Sequence, residues 1–313
     1  MTSNQSHKAV VFGSISIDKI VNKYGTFSNV LGGSAAYALL ANKKNTCELV
    51  GVVGNDFQQK HFNLLSEHSI STNSLTKLDG NTFCWGGEYK PDFSSRETLY
   101  VDPGVSESYL PDLSEDSKNS PYLLLGNTAP HLQTELLNQM QNNPFILLDT
   151  FKLYIDIANK ELKALIERVD LFCINFNEAR AISGMDGSNL KDMAKSILEL
   201  GPKSLIIKDG ENGSHFFDSQ NNFSIKAFPV DKVVDTTGAG DAYIGGVLMG
   251  KMNGKNMLDS MKVGAVTASF CIEGVSMYGL LKINDAEFSN RLEWINNHTS
   301  WKLIIIILTW LST

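Results

Sequence analysis

Between Val234 and Met249 the chain reads Val-Asp-Thr-Thr-Gly-Ala-Gly-Asp-Ala-Tyr-Ile-Gly-Gly-Val-Leu-Met, a polar, glycine-rich turn that runs straight into an apolar helix pattern. Such a junction can hold an anion. Gly238 and Gly240 carry no Cβ and permit positive φ, so the N–H groups of a first helical turn around Ala239 can converge on a phosphate, assisted by the helix dipole. Asp241 lies at the same place. A carboxylate beside a phosphate is repelled unless it does work there. The work that fits is accepting the proton of a hydroxyl that attacks the phosphoryl group. Two common phosphate patterns do not match. No Lys follows Gly240, as G-x-x-x-x-G-K-[ST] requires, and Tyr243 stands where G-x-G-x-x-G needs its third glycine.

Chemistry of this kind needs a rigid frame, and the rest of the chain supplies one. Short, continuous apolar runs at Ala9–Phe12, Cys47–Val53, Tyr122–Leu125, Phe145–Leu148, Leu171–Ile174 and Leu205–Ile207 read as strands buried on both faces. Helix patterns at Phe57–Glu67, Leu132–Met140, Leu190–Leu200 and Leu258–Cys271 alternate with them, so the expected fold is α/β with a mostly parallel sheet covered by helices. Residues 81–101 differ: two strand patterns surround a turn at Pro91-Asp92, and with residues 15–30 they are expected to form a small inserted sheet, a lid.

The 313 residues carry 27 basic and 34 acidic side chains, a net charge of −7, which makes nucleic acid and anionic membranes poor partners. Cys47, Cys84, Cys173 and Cys271 form no C-x-x-C pair and read as reduced, mostly buried thiols; the six histidines show no metal spacing, and His61 and His68 read as solvated helix positions. The polar start Met1–His7 lacks a signal-peptide pattern, so a cytoplasmic protein is expected. The apolar run Leu303–Leu308 between Trp301 and Trp310 is far short of the ~20 residues that span a bilayer. Residues 298–313 read as a buried terminal strand or as an atypical apolar tail, foreign to an otherwise single domain.

The segment Asp235-Thr-Thr-Gly-Ala-Gly-Asp241 resembles the C-terminal signature of the PfkB/ribokinase family of carbohydrate and nucleoside kinases. Further blocks agree in order: Gly13-Ser-Ile-Ser-Ile-Asp18, Leu31-Gly-Gly-Ser-Ala-Ala36, Gly51-Val-Val-Gly-Asn-Asp56, Asn175-Phe-Asn-Glu178 and Lys208-Asp-Gly-Glu-Asn-Gly213. The likeness spans roughly residues 8–297. It implies a ribokinase-like three-layer α/β/α sandwich, an ATP-dependent kinase with Mg²⁺, and a small sugar or nucleoside as acceptor.

Residue by residue, the resemblance places Asp18, Gly32, Gly33 and Ser34 at the substrate, where the Asp18 carboxylate accepts hydrogen bonds from vicinal hydroxyls and the glycines let a ligand approach the backbone. It places Asn175, Glu178, Lys208, Gly210 and Gly213 at the nucleotide, with Glu178 holding Mg²⁺ through water. Asp235 and Thr237 stand where the family has ligands of an activating monovalent cation, K⁺. Tyr37 stands where the family usually has Asn, a departure that bears on ribose as the acceptor. Asp149-Thr150 falls on the same predicted rim, and Lys90 and Arg96 charge the lid. The expected reaction is phosphorylation of a sugar hydroxyl, with Asp241 as base and Gly238, Ala239 and Gly240 opening the anion hole. A nucleoside kinase and a catalytically silent sugar or nucleoside sensor are the alternatives, and a homodimer through the lid is expected.

Overall fold

The computed structural model describes residues 9–41, 47–68, 70–185 and 189–299. Among them thirteen strands form: β1 (Ala9–Phe12), β2 (Ser16–Asn22), β3 (Gly25–Gly32), β4 (Cys47–Val53), β5 (Leu75–Lys77), β6 (Cys84–Tyr89), β7 (Arg96–Asp102), β8 (Tyr122–Leu125), β9 (Phe145–Leu148), β10 (Leu171–Asn175), β11 (Ser204–Lys208), β12 (Ser214–Asp218) and β13 (Asn222–Ile225). Nine make one sheet in the order β13-β12-β11-β10-β9-β8-β1-β4-β5, antiparallel only where β12 and β13 join its edge. The other four make a small sheet, β3-β2-β6-β7, in which β2 and β6 run parallel and the outer pairs antiparallel.

The continuous apolar strands have the physical cause expected of them. Ala9 and Val11 of β1 face one buried core, and Val10 and Phe12 face another. Residues of β8, β9, β10 and β11 divide in the same alternating way, as strands with helices on both faces must. The helices Ser34–Leu40, Ala239–Met252 and Met257–Cys271 cover the first face; Pro130–Gln139, Asn159–Ile166 and Leu190–Leu198 cover the second. The result is a three-layer α/β/α sandwich.

This topology fixes where a ligand can sit. From β1 the chain crosses to β4 on one side, while β8 pairs with β1 on the other. The segments that leave the carboxyl ends of β1 and β8 therefore diverge, and the crevice between them is the usual binding place of an open α/β sheet. The small sheet forms from residues 16–32 and 84–102, close to the expected 15–30 and 81–101.

Two expectations need correction or fall outside the described residues. His61 is not solvated: it is buried, packed beside Phe57 with ring centroids 5.2 Å apart, and burial followed by the charge of Lys60 pushes its pKa down to about 4. His68 is half-buried and caps its helix, Nδ1 lying 2.8 Å from Leu64 O. The apolar run Leu303–Leu308 lies outside the described residues. Cys47, Cys173 and Cys271 are free and buried, and Cys84 is free and half-buried. No helix among the described residues is long and apolar enough to cross a membrane.

Candidate active site

The helix Ala239–Met252 begins at the crevice, capped by Gly238 in the left-handed conformation, φ 74° and ψ 2°. A Cβ on Gly238 would lie 2.3 Å from the ring of Tyr37, which is 1 % exposed and cannot withdraw. Glycine is therefore required twice, for its dihedral and for its size. Ala239 N–H turns toward Thr236 O at 3.3 Å, so the first-turn N–H groups open to an anion are those of Gly240 and Asp241. Lys208 Nζ lies 3.1 Å from where a Gly240 Cβ would stand, which brings a cation against the same turn.

Lys208 ends β11, and its ammonium is paired with Asp149 Oδ1 at 3.4 Å. Asp149 follows β9 and is 4 % exposed. Glu178 completes the group from the helix Phe176–Ser183. Its Oε2 accepts from Asn175 N at 2.8 Å, and Asn175 Oδ1 accepts from Glu178 N at 2.9 Å, a reciprocal cap. Three carboxylates thus surround one lysine. Burial, then the charge of Asp149, raises Asp241 to about 7 against the pull of Lys208 and Arg96. Glu178 is raised to about 7 by the same two causes, opposed chiefly by Lys208. Burial works against the charge of Lys208, but Asp149 and the other acids hold its pKa above the usual range.

On the other side of the crevice Asp18 sits on β2, 4 % exposed. Burial raises it to about 7, opposed by hydrogen bonds from Ser16 and from the Trp85 backbone. Among the described residues its Oδ1 is buried with no partner, an acceptor waiting for a donor. Gly32 is what lets this carboxylate lie flat: a Cβ there would be 1.9 Å from Asp18 Oδ2. The space at Gly33 is likewise taken by Ser14 O, 2.3 Å away, so protein atoms, not a ligand, occupy the room these glycines leave. The Ser34 hydroxyl donates to Asn127 O at 3.2 Å and accepts from Ser14 N at 3.2 Å, tying the turns after β1 and β8 together.

Asn127, which the sequence did not single out, joins this crevice with Thr150 and Arg96. Among the described residues Asn127 Oδ1 and Thr150 Oγ1 are, like Asp18 Oδ1, buried without a partner. The Arg96 guanidinium lies 5.1 Å from the Trp85 ring and 5.6 Å from the Phe151 ring, bridging lid and sandwich. Its charge favours the ionised forms of Asp18, Asp235 and Asp241. Gly210 and Gly213 form the turn between β11 and β12, where Asp209 N donates to Gly213 O at 2.8 Å. Asp235 is fully buried: Oδ1 accepts from Thr237 N at 2.9 Å and Thr237 Oγ1 at 2.7 Å, and Oδ2 accepts from Ser276 N at 2.7 Å. Lys90 is exposed.

The pfkB family carbohydrate kinase profile matches residues 6–282 of this chain. The chain belongs to that family. Its members are phosphotransferases, and this chain is a PfkB-family kinase. It is 27% identical over 267 residues to the cytidine kinase of Thermococcus kodakarensis, covering 82% of this chain and 92% of that one. It is 25% identical over 292 residues to the 5-dehydro-2-deoxygluconokinase of Clostridium beijerinckii, covering 84% of each. The Arabidopsis thaliana ribokinase solved with ribose and ATP superposes with a TM-score of 0.75 at 19% identity, covering 92% of this chain and 99% of that structure. The sandwich and small sheet of this PfkB-family kinase are therefore the ribokinase fold.

Proposed function

We propose that this PfkB-family kinase transfers the terminal phosphoryl group of ATP to a hydroxyl of a small sugar. The observation that carries this is the meeting of Asp241, the open N–H groups of Gly240 and Asp241, and Lys208 at one helix start, across from Asp18 under a lid. Asp18 holds the acceptor, Gly32 and Gly33 give its carboxylate and the Ser14 backbone their room, and Asn127 Oδ1 and Thr150 Oγ1 are further partners for the acceptor hydroxyls. Asp241 takes the proton as the acceptor oxygen bonds to phosphorus and the bond from phosphorus to the leaving diphosphate oxygen breaks. The Gly238–Asp241 turn and Lys208 meet the charge that gathers on the phosphoryl oxygens, usually the largest catalytic contribution at such a site. Arg96, on the lid, adds a second cation once the lid lies over the crevice, and closure keeps water out.

The donor set fits Mg²⁺ brought in with the nucleotide. No cluster of three or more metal-ligating side chains exists among the described residues, and Mg²⁺ keeps most of its water and phosphate ligands. Glu178, Asn175 and Asp149 would hold its hydration shell, and the ion would neutralise charge on the phosphates. Asp235 and Thr237 do not present a bare carboxylate to K⁺, because N–H and O–H donors of the chain already surround it. No step here uses a monovalent cation.

A nucleoside acceptor is the second reading, favoured by the Trp85 ring, whose backbone hydrogen-bonds Asp18 and whose face carries Arg96. A ribosyl diol would meet Asp18 as a free sugar's does. The deciding experiment is an ATP-consumption screen against hexoses, pentoses, inositol and nucleosides; turnover with none of them refutes the reading. With the accepted substrate, Asp18→Ala raises the acceptor KM roughly a hundredfold, the size of losing a charged hydrogen-bonding partner, and leaves the ATP KM within about twofold. An unchanged acceptor KM removes Asp18 from the site.

The exposed edge of the lid supports a homodimer. All seven residues of β7 are exposed, Leu99, Tyr100 and Val101 among them, and among the described residues no strand pairs with its outer edge. A second copy pairing there would cover it. Sedimentation equilibrium gives a dimer for the parent and a monomer for Leu99→Glu; a monomeric parent at 50 micromolar, roughly the top of the useful range for nanomolar to micromolar homodimers, discards the dimer.

A further inference from the structure

One buried polar side chain of the lid reaches the phosphate turn. Tyr89, on β6, is 6 % exposed, and its Oη lies 2.7 Å from Oγ1 of Thr237, the residue before Gly238. Arg96 Nη1, from β7, donates to the same Oη at 3.3 Å. Thr237 Oγ1 donates to Asp235 Oδ1 at 2.7 Å. A hydroxyl has one proton to give, so the order of donors is fixed. Thr237, having given its proton to the carboxylate, accepts from Tyr89; Tyr89, having given its own to Thr237, accepts from Arg96. The result is a chain from a guanidinium through two hydroxyls to a carboxylate, in which each bond polarises the next.

The carboxylate end is anchored to both halves of the crevice. Ser276 N donates to Asp235 Oδ2 at 2.7 Å, and Ser276 Oγ donates to Leu31 O at 2.6 Å, one residue before Gly32. Asn22 Nδ2, on β2 of the lid, also donates to Val234 O at 3.1 Å. Lid, phosphate turn and substrate turn thus share one set of hydrogen bonds.

We propose that Tyr89 is a positioning residue that carries lid closure to the anion-holding turn. The Tyr89–Thr237 bond must part when the lid lifts, and Thr237 then loses the donor that fixes its hydroxyl beside Gly238. The N–H groups of Gly240 and Asp241 take their final aim only with the lid down, so phosphoryl transfer waits for an acceptor that holds it there. This rests on the reading of residues 238–241 as the phosphate grip and assigns that grip a control.

The test is Tyr89→Phe in the full chain, which removes one oxygen and keeps the ring packed beside Phe93. The expected kcat falls roughly tenfold to a hundredfold, the scale of a hydrogen bond in a charged chain. The ATP KM stays within about twofold and the Tm within about 2 °C. Combining Tyr89→Phe with Thr237→Val makes the enzyme no slower than the slower single variant, because both cut one chain. Amide exchange at residues 235–241, measured with a non-hydrolysable ATP analogue and the acceptor, speeds up in Tyr89→Phe. A kcat within twofold of the parent, a loss confined to Tm, or unchanged exchange overturns the proposal. Should Asp241→Asn be inactive while Tyr89→Phe is normal, the control fails and the grip stands; an active Asp241→Asn removes the grip itself.

Discussion

Asp241→Asn lowers acceptor phosphorylation roughly a thousandfold or more, within the range that a positioned general base contributes, and leaves nucleotide binding within about threefold. Asparagine keeps the size of the side chain and its place in the first turn of the Ala239–Met252 helix, so the N–H groups stay where they are. What it loses is the power to accept a proton. The parent's pH profile carries the same assignment. Burial and Asp149 raise Asp241 to about 7, so the ionised, working form gains population as pH rises through that value. The acid limb of kcat/KM in the free enzyme therefore has an apparent pKa near 7, not near 4. Stability runs the other way. An acid raised in the folded state stabilises below its unfolded value of 3.8, and that contribution is lost as pH climbs through about 7. Asparagine has no charge to bury, so the Tm of Asp241→Asn at pH 8 equals or exceeds the parent's. A dead variant with an undiminished Tm cannot be dismissed as misfolded. Near-normal turnover by Asp241→Asn would sink the assignment.

The frame was readable because its physics is local. Ala9–Phe12 has no polar residue to turn toward water, so a strand buried on both faces was the only economical reading, and Val10 and Val11 do face opposite cores. The turn proposed to grip phosphate stood out as a unit for a related reason: Gly238, Gly240 and Asp241 are neighbours in sequence as well as in space. Other parts depend on side chains that meet only after folding. Lys208 and Asp149 are 59 residues apart, and nothing local marks them as a pair. Tyr89 and Thr237 are 148 apart. Arg96 looked like any charge on an exposed hairpin, yet its guanidinium lies between the Trp85 and Phe151 rings and bonds Tyr89 Oη. His61 misled because Lys60 before it and Asn63 two residues on are polar; the helix turns it inward against Phe57, where periodicity from Phe57 to His61 to Leu65 offered the missed signal. Asn127 had a signal too, since it follows an apolar strand by two residues, the place where ligands meet an open sheet.

Gly238→Ala has the second largest expected effect, and it separates the shape of the phosphate turn from its charge. An alanine at φ 74° carries the left-handed penalty of ~1–2 kcal/mol. Its methyl would also stand 2.3 Å from the Tyr37 ring, and crowding of that kind in a packed core costs ~1–3 kcal/mol. Tyr37 has no room to retreat, since it lies fully buried between the Gly238 turn and the core beneath it. The turn must move instead, and with it the N–H groups of Gly240 and Asp241. A displacement of about 1 Å at a reacting centre lowers kcat roughly a hundredfold. Tyr37→Leu in the Gly238→Ala background removes the ring the methyl strikes, so it recovers part of the stability, up to the packing contribution, and leaves the dihedral penalty in place. Urea unfolding of the parent, both single variants and the double variant measures this directly. Coupling of at least 1 kcal/mol between the two sites is expected, about the smallest packing cost above. Strict additivity, together with an unimpaired Gly238→Ala enzyme, would show that the turn at Tyr37 does not hold the phosphate grip in shape.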